Sequence, residues 1–580
     1  MINASHNIKR RSPGKTDTLP DDIHPLLKRV LAARDVRSKK ELDYSLSNLH
    51  SFESLGGTTE AAQLLADLIA ADAKLLIIAD YDVDGATSCA LAQRALRAMG
   101  AKHVAYMVPD RFVHGYGLSP DIAEIAIGVE PDVVMTVDNG IASVEGVAML
   151  REHDIEVLIT DHHLPGETLP DASGIVNPNL PGDRFPSKNL AGVGVMFYIL
   201  AALRAELRQR GWFEEQGLAD PNLATFLDLV ALGTVADVVP LDYNNRILVS
   251  HGLSLIRSGR CVPGITALLN VANRSAANLS ASDLGFSIAP RLNAAGRLTD
   301  MRLGIEILSS DSEDDVLQMA KQLDELNRER RDIQAEMHEQ AQADLKRMDL
   351  SEKEDLPFGL CLYKETWHQG VVGILASRIK DQVQRPVIAF AREEGDLLKG
   401  SARSVHGLHI KDLLDRIATG HPDLIHKYGG HAMAAGLTLE KDNLDTFSRL
   451  YDEEVRRHVE EYGYPDTLVT DGELAASEFT LQMAEILRNA GPWGQGFPEP
   501  AFDGEFQIVD RRIVGERHLK LQLQAEGNKY PVDAIAFNVT DTHWPANARR
   551  VYTVYKLDVN EFAGRKRLQL LVEYIEPITG

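Results

Sequence analysis

The chain has 580 residues, which is too long for a single hydrophobic core and predicts several domains. Its hydrophobic (44%) and charged (25%) contents are ordinary for a globular protein, and no apolar run is long enough to cross a bilayer. The net charge of −24 argues against a uniformly basic nucleic-acid-binding protein, but it is compatible with a local basic groove. Three distant cysteines without zinc-binding spacing are typical of a reducing compartment, so we expect a cytoplasmic protein.

Residues 1–73 are predicted to form a tail followed by a helical segment. The first twenty residues are basic and lack the apolar core of a secretory signal, so we expect a loose tail. Apolar residues recur at helical spacing in residues 25–33 and 59–73, which predicts two amphipathic helices.

Residues 75–85, with the sequence LLIIADYDVDG, predict a buried parallel strand that ends in carboxylates. Asp80, Asp82 and Asp84 repel one another, and a bound cation would allow all three to stay ionised at neutral pH. An Asp-rich helix cap is the alternative, but it explains one aspartate rather than three. Since open α/β folds place their chemistry at the carboxyl ends of strands, this stretch predicts a metal site.

The same pattern recurs twice further along the chain. An apolar strand over residues 133–137 ends at Asp138, and another apolar strand ends at Asp161, His162 and His163. Neighbouring strands of one parallel sheet would bring these side chains to a common edge. A pair of core histidines is the alternative for His162 and His163, but their position directly after Asp161 at a strand end favours a functional site.

The first α/β domain is predicted to span residues 74–309. It contains a Gly- and Pro-rich loop with Arg111, and an apolar stretch that surrounds Asp237. A carboxylate in so apolar a setting needs a partner, and the metal edge is favoured over a helix cap or a salt bridge. The segment PRLNAAGRL is predicted to be a loop that carries Arg291 and Arg297.

A long helix of mixed charge over residues 310–350 is predicted to connect this domain to a second α/β domain at residues 351–462. The second domain contains GSARS, with Ser401 and Arg403 beside a flexible glycine, and a GGH turn at residues 429–431 before an Ala-rich helix. Backbone amides at such turns cradle anions, and arginine grips phosphate bidentately, so both segments are candidate phosphate sites. A plain turn is the alternative for the Gly-Gly pair.

Residues 463–580 contain five short strands with turn signals between them, which predicts a small β-barrel of the oligonucleotide-binding (OB) kind. Its aromatic residues are either base-stacking contacts or barrel core, and the sequence does not separate the two: Phe506, His518, Tyr530, Tyr552 and Tyr555. The same two alternatives, stacking site or packed linker, stay open for the loop that carries Trp493 and Phe497.

Oxygen and imidazole ligands without thiolate favour Mn²⁺ or Mg²⁺, with zinc as a further option. Six candidate ligands suffice for two cations that share a bridging carboxylate: Asp80, Asp82, Asp84, Asp138, His162 and Asp237. Two such ions activate a water and hold a phosphate oxygen during in-line displacement, so the sequence predicts phosphoester hydrolysis.

The motifs DYDVDG, VDNG and DHH together resemble the DHH phosphoesterase superfamily. More narrowly, VPDRFVHGYGLSP, ALGTVADVVPL, APRLNAAGRL and YGGHAMAAGL are similar to the RecJ family of bacterial single-strand-specific 5′→3′ exodeoxyribonucleases. The resemblance runs from about residue 74 to the C-terminus. It implies the order of a DHH domain, a connecting helix, a DHHA1 domain and an OB-type barrel.

The resemblance also implies roles for particular residues. The metal ions, Mn²⁺ or Mg²⁺, would be held by the six ligands above, with Asp80 in place of a histidine that several smaller relatives carry on the first strand. His162 and His163, with Asp161 behind them, would form the catalytic set, and His163 would donate to or position the scissile phosphate. Eight residues would contact DNA or its 5′ phosphate: Arg111, Arg291, Arg297, Ser401, Arg403, Gly429, Gly430 and His431.

The sequence therefore predicts an α/β protein with a parallel-sheet catalytic domain and an activity that removes nucleotides processively from the 5′ end of single-stranded DNA. A groove between the two α/β domains would be too narrow for duplex, and the barrel would close the path. Family membership implies a role in recombination and repair together with single-strand-binding protein and a RecQ-type helicase. An enclosed path predicts a monomer.

Two alternatives are weighed against this prediction. A hydrolase of short oligonucleotides or cyclic dinucleotides would share the metal edge, but it would have no need of a barrel for an extended strand. A non-catalytic scaffold descended from the same fold would be expected to have lost metal ligands, whereas all six candidates are present.

Overall fold

The fold is described from a computed structural model that covers residues 7–111, 113–114, 117–347, 357–393, 395–462, 467–515, 518–537, 539, 548–562 and 565–578. It opens with a short strand, β1 (Asn7–Arg10), and a helix, α1 (Pro25–Ala32). None of the helices within these ranges is both long enough and apolar enough to traverse a bilayer.

The first α/β unit is built on a five-stranded parallel sheet. Its elements in chain order are α2 (Thr58–Ala70), β2 (Lys74–Ala79), α3 (Val83–Ala98), β3 (His103–Met107), α4 (Pro120–Ile127), β4 (Val133–Val137), α5 (Val144–Glu152), β5 (Glu156–Thr160), β6 (Gly174–Val176) and α6 (Gly192–Gln209). The strand order is β3-β2-β4-β5-β6, with every neighbouring pair parallel. The parallel-sheet prediction is confirmed.

Both faces of this sheet are covered, which explains the continuous apolar strands. Alternate residues of β2 point to opposite sides: Leu76 and Ile78 pack with α4 and α5, whereas Leu75 and Ile77 pack with α3 and α6. All four side chains are buried, and strands buried on two faces have no polar alternation. The polar residues of these strands are therefore displaced to the strand ends.

Helices extend the first unit towards the rest of the chain. They are α7 (Trp212–Glu215), α8 (Leu227–Ala236), α9 (Tyr243–Arg257), α10 (Pro263–Val271), α11 (Ala281–Asp283), α12 (Ala289–Leu298), α13 (Arg302–Ser309) and the long α14 (Glu313–Arg347). The connecting helix is as predicted, but the prediction of a loop for PRLNAAGRL is wrong, because these residues form α12. Pro290 lies in the first turn of α12. Proline has no backbone N–H to donate, but the N–H groups of the first turn have no partner within the helix, so proline is tolerated there.

The second α/β unit has a mixed five-stranded sheet in the order β10-β11-β9-β8-β7. Its elements are β7 (Leu360–Tyr363), α15 (Val372–Val383), β8 (Val387–Arg392), β9 (Leu397–Arg403), α16 (Ile410–Gly420), β10 (Lys427–Gly430), β11 (Ala434–Glu440) and α17 (Leu444–Tyr462). Two local predictions are wrong here. GSARS lies in β9 rather than in a flexible turn, and the segment after GGH forms β11 rather than an Ala-rich helix.

The C-terminal unit is a closed five-stranded barrel, as predicted. Its elements are β12 (Thr467–Thr470), α18 (Leu481–Asn489), β13 (Phe502–Val514), β14 (His518–Ala525), β15 (Val532–Ala536), β16 (Arg550–Phe562) and β17 (Arg565–Pro577). The barrel closes in the order β13-β14-β15-β17-β16, with β15 and β17 parallel. This arrangement is that of a small OB-like barrel.

The structure separates core aromatics from exposed ones in and near the barrel. Phe506 and Tyr555 are buried, with their rings edge to face at 5.3 Å, so they are core residues. Trp493 and Phe497 are also buried and stack at 5.0 Å, which identifies their loop as a packed linker. Tyr530 is 71% exposed and is still available for stacking.

The prediction of a loose N-terminal tail is wrong for residues 7–10. Strand β1 pairs in parallel with β12, so the start of the chain is hydrogen-bonded to the barrel unit. Arg10 binds Asp503 through its Nε (3.0 Å) and Nη2 (2.6 Å), and Nη2 also binds Glu473. Arg10 is therefore paired with carboxylates of the C-terminal unit.

A buried ion pair anchors the same junction. Arg34, just after α1, makes a bidentate contact with Asp471, at 2.7 Å from Nη1 to Oδ1 and 2.9 Å from Nη2 to Oδ2. Its Nε donates to the carbonyl oxygen of Pro498 at 2.7 Å, and both charged side chains are 1% exposed. A buried pair with this geometry depends on the planar guanidinium group.

Arg34→Lys is expected to lower the free energy of unfolding by about 1–2 kcal/mol, because the charge stays but the bidentate contact is lost. Urea unfolding followed by tryptophan fluorescence measures the change. Arg37→Lys is the matched control, since Arg37 is 77% exposed and pairs with an exposed aspartate; its effect should be near zero. Equal stabilities of the two variants would contradict the anchoring role.

Candidate metal centre

Acidic residues follow three adjacent strands of the first sheet. Asp80 follows β2, Asp138 follows β4 and Asp161 follows β5, and these strands are parallel neighbours in that order. Their carboxyl ends therefore share one edge of the sheet. Asp82 begins α3 as its N-cap, where its Oδ1 accepts a hydrogen bond from the amide of Asp84 at 2.9 Å. Strand ends and a helix start thus deliver the carboxylates to one place.

His162 lies among three carboxylates of this edge. Its Nε2 is 3.1 Å from Asp138 Oδ1, 3.4 Å from Asp237 Oδ2 and 3.9 Å from Asp84 Oδ2. Asp237 comes from the end of α8, so a residue distant in sequence joins the cluster. Within the described chain, this buried nitrogen has no hydrogen-bond partner. A cation at this point would provide one, since neutral imidazole is a common metal ligand.

The candidate ligand atoms form three overlapping sets. In each set the atoms lie within 4.8 Å of one another, and the sets are Asp80 with Asp82 and Asp138, Asp84 with His162 and Asp237, and Asp138 with His162 and His163. Asp138 belongs to the first and the third set, and its Oδ1 lies 3.1 Å from His162 Nε2, which belongs to the second. The geometry therefore favours two neighbouring cation positions with Asp138 between them.

Burial raises the pKa values of the clustered carboxyl groups, and their mutual repulsion raises them further. For Asp84, burial and then the charge of Asp82 raise the pKa to about 7. Burial and then neighbouring carboxylates raise the pKa values of Asp80, Asp138 and Asp237. Such a cluster holds its charge at neutral pH only when cations neutralise it. Carboxylates with one imidazole and no thiolate suit Mn²⁺ or Mg²⁺.

Asp161 orients the two histidines. Its Oδ1 lies 2.7 Å from His163 Nδ1 and accepts from the amides of His162 (2.7 Å) and His163 (3.0 Å). Burial lowers the pKa of His163, but the hydrogen bond to Asp161 and its charge outweigh burial and raise the pKa to about 9. Burial and then the charge of His163 lower the pKa of His162 to about 4. The pair thus combines a neutral imidazole suited to metal with a protonated one suited to phosphate.

The backbone around Asp138 is tightly packed. Asp138 itself adopts the left-handed conformation, with φ of 62°. Gly192 begins α6 against it, and a Cβ at Gly192 would lie 2.6 Å from the Cβ of Asp138. The amides of Gly192 and Val193 donate to Asp84 at 2.6 and 2.9 Å, so Asp84 anchors α6 as well as facing His162.

Gly192→Ala is expected to weaken Mn²⁺ binding by up to about tenfold, because the added methyl group would push Asp138 out of place at an overpacking cost of about 1–3 kcal/mol. Titration calorimetry with Mn²⁺ measures the effect. Gly194→Ala is the control from the same helix, since its Cβ would meet only the flexible side chain of Leu190, at 3.1 Å. Unchanged metal affinity in Gly192→Ala would contradict the assigned position of Asp138.

Arginines gather beside the acidic cluster. Arg111 lies over the ring of Tyr81 at 4.6 Å, and Arg297 donates from Nη1 to the carbonyl oxygen of Gly370 at 3.1 Å. Burial and then the positive charges of Arg111 and Arg403 lower the pKa of Arg297 to about 10. Several guanidinium groups close together, next to a metal edge, form a site for an anion.

The start of α15 completes an anion cradle. A Cβ at Gly373, in its first turn, would be 2.8 Å from Arg403 Nη2 and 3.5 Å from Ser401 Oγ. The absence of that Cβ lets both side chains approach the helix N-terminus, where backbone amides and the helix dipole favour negative charge. A hydroxyl, a guanidinium group and a helix start thus converge on one point.

Arg291 is not brought to this cluster. Its Nε and Nη2 contact Asp324 Oδ1 of α14 at 3.0 and 2.9 Å, and its Nη1 donates to the carbonyl oxygen of Ser287. Both side chains of the ion pair are largely buried. The structure therefore places Arg291 as a link between α12 and α14, and gives no support to a phosphate contact there.

His431 reaches the first unit from the hairpin of β10 and β11. Its ring stacks on the ring of His163 at 6.2 Å between centroids and 18° between planes. Gly430 has φ of 145° and its Cβ would lie 2.4 Å from the carbonyl oxygen of Ala434, so this turn depends on glycine. The GGH turn therefore lies across a cleft from the metal edge.

Three family models match the chain: the DHH family N-terminal domain at residues 74–234, the DHHA1 domain at 357–457 and the RecJ OB domain at 470–574. The single-stranded-DNA-specific exonuclease RecJ of Dickeya dadantii is 52% identical over 578 residues and covers 100% of both chains. The chain belongs to the RecJ family. RecJ of Escherichia coli is 49% identical over 572 residues, or 98% of this chain and 99% of that relative.

Solved RecJ structures share the whole architecture. The crystal structure of RecJ from Thermus thermophilus in complex with Mn²⁺ covers 99% of this chain and 80% of that one, with a TM-score of 0.81 at 27% identity. The Mg²⁺ complex of the same RecJ gives 0.75 at 26% identity. The RecJ fold and its association with the two predicted ions are confirmed.

Sequence reasoning missed three residues of this RecJ site. Tyr81 supports the guanidinium group of Arg111, Gly370 accepts from Arg297, and Gly373 opens the start of α15 to Arg403. The signal for the two glycines was present, since HQGVVG places them at the start of a helix, where close backbone approach to an anion is common. The role of Tyr81 has no local signal, because its partner lies thirty residues further along the chain.

Proposed function

We propose that this chain is a metal-dependent exonuclease that removes nucleotides from the 5′ end of single-stranded DNA. The observation that carries the proposal is the cluster of candidate metal ligands around Asp138, together with the convergence of Ser401 and Arg403 on the start of α15. The names of its RecJ relatives support single-stranded DNA as the substrate.

Six residues would hold the ions: Asp80, Asp82, Asp84, Asp138, His162 and Asp237. Bound divalent ions activate water and neutralise charge on the scissile phosphate. Asp138, which shares a set with Asp80 and Asp82 and whose Oδ1 lies 3.1 Å from His162 Nε2, would be a ligand common to both ions. Asp84 holds α6 against the cluster and thereby fixes the wall behind it.

His163 and Asp161 serve the phosphate rather than the ions. The contact with Asp161 occupies Nδ1 of His163 and keeps the ring protonated, so Nε2 is the nitrogen that donates to a phosphate oxygen. Asp161 is buried and does not touch the substrate; it acts through His163 as a positioning residue. His431, stacked on His163 from across the cleft, contacts the same end of the strand.

The anion cradle would set the direction in which the strand is degraded. Ser401, Arg403 and the start of α15 bind a terminal 5′ phosphate, with Arg111 and Arg297 adding positive charge. A strand held by its 5′ phosphate presents its first internal linkage to the metal edge. The two α/β units meet at His163 and His431, and a cleft there that is too narrow for duplex would give strand specificity.

We further propose that the enzyme acts as a cytoplasmic monomer in DNA recombination and repair. Its partners would be single-strand-binding protein, which covers the substrate, and a RecQ-type helicase, which exposes it. Support comes from RecJ family membership and from the closed barrel, whose strands offer a second surface to single strands.

Digestion of end-labelled DNA tests the activity. With Mn²⁺ or Mg²⁺, 5′-labelled single strands should lose the label at once as the smallest products, while 3′-labelled strands shorten gradually; duplex and chelated samples should stay intact. Simultaneous internal cleavage, or attack from the 3′ end, would refute the proposal. Faster hydrolysis of dinucleotides than of long strands would favour the small-substrate alternative. The barrel argues against that alternative, because a short substrate does not need it.

A further inference from the structure

A π-helical turn at Leu284–Ile288 presents one aromatic side chain to solvent. Phe286 is 83% exposed, the highest fraction among the large hydrophobic side chains of the described chain, whereas Leu284, Ser287 and Ile288 in the same turn are buried. Turns of this type insert an extra residue into a helix and are frequent at functional sites. The buried neighbours fix the turn, so the exposure of Phe286 is a property of a rigid element.

This turn lies next to the helix that delivers Asp237. A Cβ at Gly285 would be 3.4 Å from Cγ1 of Val235, in the last turn of α8, and Asp237 follows as the C-cap of that helix. Asp237 in turn contacts His162 of the metal centre at 3.4 Å. The turn of Phe286 therefore packs against the helix that ends at Asp237, on the rim of the metal centre.

A second exposed apolar residue occupies the same rim. Val238 is 62% exposed and adopts the left-handed conformation, with φ of 61°. This conformation is unfavourable for a β-branched residue and persists only where the surroundings impose it. Its amide bonds to the carbonyl oxygen of Val235 at 3.3 Å, so Val238 and the turn of Phe286 both contact Val235.

The turn also faces the barrel. Nε of Arg274 donates to Ser287 Oγ at 3.1 Å and lies 3.7 Å from Asp283 Oδ1, and the Arg274 side chain is 54% exposed. Arg274 lines a cleft of about 700 Å³ between the first unit and β16 of the barrel. The turn of Phe286 thus contacts α8 through Gly285 and, through Ser287, an arginine that lines this cleft.

We propose that Phe286, together with the exposed Val238, is a stacking site for one nucleobase of the single-stranded substrate near the metal centre. The inference rests on the proposed function and adds a position to it. A rigid aromatic ring accepts any base through its π face, and Arg274 is placed to contact the neighbouring phosphate. A base held here fixes the strand on the side opposite the 5′ cradle.

The occupant is a nucleobase rather than a protein because the exposed ring stands on a turn that packs against the helix ending at Asp237, and Arg274 is hydrogen-bonded to the same turn. Stacking on an aromatic side chain contributes enough that its loss weakens binding by about tenfold. Paired bases are already stacked on both sides and lie inside the duplex, so only a single strand can use this site. Phe286 would therefore add to strand specificity independently of cleft width.

A scan with abasic strands tests the site in the full-length protein. Phosphorothioate strands resist hydrolysis, and each carries one abasic position at a different distance from the 5′ phosphate. The wild-type protein should show one position, past the metal centre, at which loss of the base weakens binding by about tenfold. Phe286→Ala should bind the intact strand equally weakly and be insensitive to that position, and Phe286→Tyr should restore the profile.

Val129→Ala is the matched control, because Val129 is 51% exposed in the first unit. It lies just before the amino end of β4, whereas the metal centre lies at the carboxyl end of that strand. Its profile should equal that of the wild type. If Phe286→Ala keeps both the affinity and the abasic profile, the stacking site is refuted while exonuclease activity stands. If the wild-type protein degrades no single-stranded DNA, the proposed function fails and this inference falls with it. If Phe286→Ala loses binding to single-strand-binding protein while its abasic profile is unchanged, the ring is a protein contact and the proposal is refuted.

Discussion

Asp138→Ala should abolish hydrolysis of single-stranded DNA, with a loss well above about a hundredfold, while folding and DNA binding are largely retained. Among the described residues, Asp138 is the one carboxylate that belongs to two of the three ligand sets. Its removal should therefore disturb both cation positions at once. Removal of groups that merely support a metal ligand already costs about 10- to 100-fold. Release of labelled nucleotides with Mn²⁺, together with calorimetric counting of bound Mn²⁺, measures the effect.

Asp228→Asn is the matched control for this prediction. Asp228 is a buried aspartate of the same unit, in α8, but its Oδ2 accepts from the amide of Val262 at 2.7 Å, away from the cluster. Asp138→Asn adds a test of charge, because it keeps the side-chain shape. Retained cleavage in Asp138→Ala, or an equal loss in Asp228→Asn, would refute the metal assignment.

Arg403→Ala should slow the degradation of 5′-phosphorylated strands by about 10- to 100-fold, chiefly through a higher KM. Hydrogen bonds to charged groups contribute about 1.5–3 kcal/mol, and Arg403 is held against the start of α15 with nothing larger than Gly373 between them. The loss should be much smaller on strands with a 5′ hydroxyl, since these lack the group that Arg403 contacts. Initial rates on the two strands over a range of concentrations measure the difference.

Arg392→Ala controls for the loss of an arginine from the same sheet. Arg392 ends the neighbouring strand β8 and forms an exposed ion pair with Glu365. Its replacement should leave both rates unchanged. An unchanged rate of Arg403→Ala on 5′-phosphorylated strands would remove the arginine from the cradle.

The metal edge was predictable because it follows a local rule. An apolar run that ends in carboxylates, three times over, identifies strands whose ends carry chemistry, and the parallel sheet places Asp80, Asp138 and Asp161 at one edge. Asp237 was predictable for a different reason, since an acid in an apolar stretch needs a partner. Neither argument required knowledge of long-range pairing.

Which of the two arginines of α12 faces the anion site was not predictable, because it depends on the side of the helix to which each side chain points. PRLNAAGRL forms α12, and Arg297 is six positions after Arg291, so the two side chains point to different sides of the helix. Arg291 meets Asp324 of α14, whereas Arg297 meets Gly370 before α15. Only the packing of three helices decides which of them faces the substrate.

Local preference was overridden in two other segments. MAAGLTLE is rich in residues of good helix propensity, but β9 recruits residues 434–440 as β11 through seven paired positions. The N-terminal segment has no structure of its own to predict, since its partner strand, β12, lies at the other end of the chain. Sheet pairing of this kind leaves no trace in a short window of sequence.

The pairing of β1 with β12 has a consequence for synthesis. Arg10 and its partner Asp503 are 493 positions apart. At about 5–20 residues per second on the ribosome, the first strand is made roughly half a minute to a minute and a half before its partner emerges. During this interval its edge is open to other nascent chains, and Lys9 and Arg10 supply the charge that discourages such pairing. Lys9 and Arg10 would thus reduce aggregation of the nascent chain before β1 pairs with β12.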